Sequence, residues 1–145
     1  MEAAQSSQVQ GERVAFGRLL WVGALAAVLA AVANAIVYFV AYGLGAVPRD
    51  VVVEGSGPIT LGPVVFASVV GAVAAVVVLA IVALLARRRP IWVFRIVATV
   101  ALVLSFYTPF TIPGAPVAMV ATLLLMHVLA AVVVVGVLTT LARAR

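Results

Sequence analysis

The chain has 145 residues, 67% of them hydrophobic and 9% charged, with no cysteine and a formal net charge of +5. A water-soluble domain is about half apolar and about a quarter charged, so this composition excludes an ordinary soluble fold. The missing cysteines exclude disulfides, thiolate metal sites and cysteine nucleophiles, and the arginines form no stripe or motif of a nucleic-acid binder.

Residues 1–14 are mostly polar (EAAQSSQVQG) and read as a short disordered cytoplasmic tail. Arg13 and Arg18 then precede an apolar run over 19–42. A signal peptide would begin in a similar way, but its apolar core is only about 7–15 residues long. This run is longer and ends in tyrosines and glycines without a clear cleavage site, so it reads as a retained first helix.

The first loop, 43–62, holds Val51-Val52-Val53 and Ile59-Thr60-Leu61 on either side of a Gly-rich turn. Two β-prone triplets so arranged have the pattern of a small hairpin, with Pro58 limiting its pairing. The second span covers 63–86, with Pro63 suited to a first helical turn and Arg87-Arg88-Arg89-Pro90 as its stop. The third runs over 91–107 and carries Arg95 about one turn inside its start, from where the side chain can snorkel to headgroup level. Its expected end is Tyr107, because Pro109 disfavours helix in the residue before it. A stiff second loop with three prolines follows, and the fourth span covers 116–141. Each span approaches the roughly 20 residues needed to cross a bilayer.

The expected architecture is therefore all-α: a four-helix transmembrane bundle with two outer loops. Its orientation comes from charge. Arg13, Arg18, Arg87, Arg88, Arg89, Arg95, Arg143 and Arg145 fall on one side of the spans, and Arg49 alone on the other, beside Asp50 and Glu54. Short arginine-rich loops stay in the cytoplasm, so both termini are expected there. All basic residues are Arg, and Ala, Val and Leu dominate, a bias like that of GC-rich bacterial genomes, so a bacterial cytoplasmic membrane is expected. The arginine clusters would also meet anionic lipid headgroups. Trp21 and Trp92 fall near the inner interface, and Tyr38, Tyr42, Tyr107 and Phe110 near the outer one, as interfacial aromatics do.

Chemistry-bearing residues are few. The spans contain no Asp, Glu or Lys, which disfavours proton-coupled transport and most enzyme classes, and no cofactor is expected. His127 is the one ionisable group near mid-membrane, and such a group is a functional candidate by default; a neutral imidazole bonded to a neighbouring hydroxyl or carbonyl is the structural alternative. Haem ligation would lack the second histidine of a bis-His site. Asn34 shares a helical stripe with Gly23, Ala27, Ala30, Ala31 and Tyr38, a pattern that lets helices approach and hydrogen-bond. Ala67, Gly71 and Ala75 repeat the small-residue spacing in the second span. Asn34, Tyr38, Ser68, Ser105, Tyr107, Thr122 and His127 all fall at the centre or in the outer half, where convergence would make a ligand-binding cavity under the outer loops, with His127, Asn34, Tyr38, Ser105 and Thr122 as its candidate residues.

The run Leu104-Ser105-Phe106-Tyr107-Thr108-Pro109-Phe110, then Pro113-Gly114-Ala115-Pro116, then Leu124-Leu125-Met126-His127 resembles an uncharacterised family of small, largely actinobacterial membrane proteins known as a domain of unknown function. The likeness covers most of residues 15 to 142, although the usual Pro-Pro pair is Thr108-Pro109 here. It implies four helices and interest in His127, but brings no activity. Three readings stay open: a non-enzymatic membrane protein binding a lipid, a small apolar ligand or a partner subunit through its outer half; a small oligomeric transporter or channel; and an enzyme on a lipid-like substrate using His127.

Overall fold

The computed structural model describes residues 13–53, 57–86 and 88–143. Seven elements follow in chain order: α1 (Phe16–Gly43), β1 (Val52–Val53), β2 (Gly57–Pro58), α2 (Leu61–Leu85), α3 (Pro90–Ser105), α4 (Tyr107–Phe110) and α5 (Val117–Leu141). Four candidate spans result, with α3 and α4 together forming Pro90–Phe110. Alone, the 16 residues of α3 rise about 24 Å at 1.5 Å per residue, short of a hydrocarbon core of about 30 Å. The extra turn of α4 makes up the difference. The chain is a multi-pass membrane protein with an all-α fold.

The third helix departs from expectation at its end. It stops at Ser105, two residues early, and Pro109 sits inside α4. A proline is tolerated in a helix's first turn, where its missing N–H would have had no partner. The hairpin is also shorter than its sequence pattern: β1 pairs antiparallel with β2 in the register Val52↔Pro58 and Val53↔Gly57. The second strand uses the residues next to the turn, not the Ile59 triplet. The expected tail lies outside the described residues as far as residue 12, but Val14 forms a bridge with Arg143, and the Ala15 N–H donates to the Ala142 carbonyl at 2.9 Å. The residues that lead into α1 and follow α5 therefore meet, and Val14, Ala86 and Ala142 share one apolar cluster.

The helices bundle so that α1 packs along α2 and α5, α3 touches α2 and α5, and α2 and α5 also touch each other. The α1–α2 seam is antiparallel and tight, with Gly23 facing Val76. Val22, Ala26, Ala30 and Ala72 are wholly buried along it. Of the small-residue stripe, Gly23, Ala27, Ala30, Asn34 and Tyr38 are buried, while Ala31 is only half-buried and lines the outward concavity of the seam. On α2 the stripe is different. Val64, Ser68, Ala72, Leu79 and Val82 are buried, while Ala67 and Gly71 are exposed and nothing lies within 4 Å of a Cβ built on Gly71. The buried face is rotated about one residue, or 100°, from the small-residue pattern.

Two loop devices close the end opposite the arginines. Gly45 (φ +73) ends α1 in a Schellman motif, with Ala46 N–H bonded to Ala41 O and Gly45 N–H to Tyr42 O. Gly114 (φ +72) follows Pro113 in a type II turn closed by Ala115 N–H on Ile112 O. The first loop then folds inward, and Val47 is buried against Tyr38, Ala41, Val64 and Met126.

Candidate functional site

Asn34 and Ser68 meet in the α1–α2 seam. Asn34 Nδ2 donates to Ser68 Oγ at 2.9 Å, and Ser68 Oγ donates to the Val64 carbonyl at 2.8 Å. A hydroxyl has one proton, so Ser68 must accept from Asn34, and this fixes the amide orientation. The carbonyl oxygen is then left over: Asn34 Oδ1 is buried without a partner. A helix-to-helix bond of this kind is the polar glue of membrane bundles.

The other expected site residues are not brought to that pair by hydrogen bonds. Ser105 donates to Leu102 O, Thr122 to Ala118 O, and Thr99 to Arg95 O, each within its own helix. His127 Nδ1 lies 2.7 Å from the Leu123 carbonyl. A carbonyl can only accept, so in the neutral ring Nδ1 carries the proton and Nε2 keeps a lone pair. Apolar surroundings favour this return of polar groups to their own backbone. Tyr38 is buried and stacks on Tyr42 with centroids 5.9 Å apart, and the Arg49 guanidinium sits 5.1 Å from the Tyr42 ring. An aromatic column thus leads from Asn34 to the outer cation. Beneath the loops of that end, Val47 packs with Tyr38, Ala41, Val64 and Met126.

A concavity open to the outside of the bundle lies along the outward side of the α1–α2 seam. It has a volume of about 800 Å³ and runs between Leu20, Ala24 and Ala31 of α1 and Val65, Val73 and Val77 of α2, with Leu61 at one end. Ligand sites typically span about 300–1,000 Å³. This lining offers almost no polar atom, so it selects by shape and apolarity alone. Its floor from Leu20 to Ala35 rises about 22 Å, longer than the hydrocarbon of one leaflet at about half of 30 Å. No single residue marks such a groove; it is made by the relative placement of two helices, which is why the sequence does not signal it.

At the arginine end, Arg18 lies over the Trp21 ring at 5.6 Å, and Arg95 Nη2 donates to Thr139 Oγ1 at 3.3 Å. Arg13, Arg88, Arg89 and Arg143 are exposed there, while Arg87 and Arg145 lie outside the described residues. Thr139 is buried, and nothing in its spacing pointed to a partner for Arg95. Among the described residues no three His, Cys, Asp or Glu side chains gather as metal ligands.

Neither a curated protein nor a solved structure matches the chain. The model of a family of unknown function, DUF6069, matches residues 14–144, which is nearly all of the sequence. The chain belongs to that family.

Proposed function

We propose that this protein is a non-enzymatic membrane protein that holds an extended apolar chain of a lipid in the groove between α1 and α2. The observation that carries the reading is the groove itself: about 800 Å³, open to the membrane and almost without polar lining. An occupant with hydrogen-bonding groups along its length would find no partners there. A long hydrocarbon or isoprenoid chain needs none, and the length of the floor suits a chain longer than one leaflet's tail. This departs from the outer-half cavity expected from the polar residues, since the groove follows the α1–α2 seam from Leu20 to Ala35. The arginine asymmetry supports a cytoplasmic location for the end of the bundle that carries Arg18, Arg95 and Arg143.

Ala31→Trp would place a large ring in the groove. Lipid extracted from the purified wild-type and variant proteins would be compared by mass spectrometry, with helix content checked by circular dichroism. A long-chain lipid at near-stoichiometric level in the wild type, reduced several-fold in the folded variant, supports the reading. Equal lipid in both, or a partner polypeptide in its place, sinks it.

A further inference from the structure

Arg95 is the deepest cation of the arginine end, in the second turn of α3 and three residues inside Trp92. Its guanidinium is drawn to α5, where the bond to the buried Thr139 holds it about two residues from that helix's end. Trp92 is exposed one turn nearer the end, and an exposed tryptophan fixes the interfacial level. The cation therefore sits where headgroups meet the hydrocarbon. Its one hydrogen bond among the described residues is long, at 3.3 Å, and leaves most of the guanidinium N–H groups unused. Among the described residues the one carboxylate, Asp50, lies at the other end of the bundle, and the charged side chains at this end are arginines.

Beyond Arg95, no side chain of α3 is buried. The buried residues of that helix are Pro90, Ile91 and Phe94, and α4 anchors its far end through Pro109. Between these anchors the flank of α3 is uncovered, in line with the cation at its base. The geometry points to a site for one anionic lipid: its phosphate on the Arg95 guanidinium, one tail along the uncovered flank of α3. A phosphate oxygen pair matches the planar fork of a guanidinium, which a lysine ammonium cannot reproduce. Thr139 is a positioning residue that aims the fork. Depth selects the lipid source over soluble phosphate, because the fork opens at the membrane boundary. The α1–α2 groove shares no lining residue with this site, so the two sites stand or fall separately.

The test uses the full chain in nanodiscs containing phosphatidylglycerol and phosphatidylcholine with identical tails, followed by native mass spectrometry of retained lipid. The wild type retains phosphatidylglycerol in preference. Arg95→Gln lowers that preference roughly tenfold, as loss of a charge-assisted bond implies. Arg95→Lys falls between the two, and Arg88→Gln, which removes a charge from the exposed cluster alone, lowers the preference less than Arg95→Lys does. Should Arg95→Gln fail to fold by circular dichroism, Thr139→Val and Arg95→Lys decide: both lower the preference. Equal retention of the two lipids by the wild type, or unchanged preference in the folded Arg95 and Thr139 variants, overturns the proposal. Displacement of the lipid by millimolar inorganic phosphate overturns the lipid assignment.

Discussion

Gly23→Ala adds a single methyl group to the α1–α2 seam, and its cost follows from one distance. A Cβ built on Gly23 lies 2.5 Å from Val76 Cγ2, with the other Val76 carbons at 3.7 and 3.8 Å. Carbon atoms pack at about 3.5–4.0 Å, so the seam must open by about 1 Å or Val76 must turn. A helical valine is nearly locked in one rotamer, which makes turning expensive. Overpacking of this kind costs about 1–3 kcal/mol, or roughly 5- to 150-fold in the folding equilibrium. Lipid tails supply no hydrophobic force to press the helices back together, so the lost contacts are not compensated. Gly71→Ala is the matched control: no atom lies within 4 Å of its Cβ, and the better helix propensity of alanine makes it neutral or more stable by up to about 1 kcal/mol. Unfolding in mild detergent, followed by circular dichroism against added denaturing detergent, gives the comparison. The double variant Gly23→Ala/Val76→Ala should recover most of the loss, with a coupling energy of about 1 kcal/mol or more. If Gly23→Ala is as stable as the wild type while Gly71→Ala is destabilised, the helix faces assigned here are reversed.

Other outcomes follow from the polar groups. Ser68→Ala strands the buried Asn34 amide and should cost about 1–3 kcal/mol, whereas Asn34→Val removes the amide, leaves Ser68 satisfied by Val64 O, and should cost less; the reverse order in the same unfolding assay contradicts the bond network. Nitrogen NMR of His127 in neutral detergent solution should show the Nδ1-protonated tautomer implied by the Leu123 carbonyl, and an Nε2-protonated ring would refute that contact. Gly114→Ala meets no atom but must adopt φ near +72, so thermal unfolding should show destabilisation of about 1 kcal/mol from backbone strain alone.

The architecture is plain in the sequence because membrane constraints act on long segments, and four apolar runs with arginines at one end admit few folds. Helix faces are harder to read. Nearly every position of α2 is apolar, so hydrophobicity does not say which side is buried, and the spacing of Ala67, Gly71 and Ala75 suggests a face that is largely exposed. The polar residues were the better markers: Asn34 and Ser68 each sit on a buried stripe and find one another. His127 and Thr122 look convergent on a depth axis, yet each finds a carbonyl of its own helix. The groove and the Arg95–Thr139 contact depend on how helices distant in sequence lie together, which no local pattern encodes.

The central claim is that an apolar chain lies between α1 and α2, and photocrosslinking tests it most directly. A membrane lipid extract bearing photoreactive groups along its tails would be crosslinked to the protein in nanodiscs and the adducts mapped by peptide sequencing. Adducts should concentrate on Ala24, Ala31, Val73 and Val77, which line the groove. Leu125 and Val132 of α5, equally apolar and exposed, should carry several-fold fewer. Adducts spread evenly over both sets would mean that the groove is ordinary lipid-facing surface, and would contradict the account.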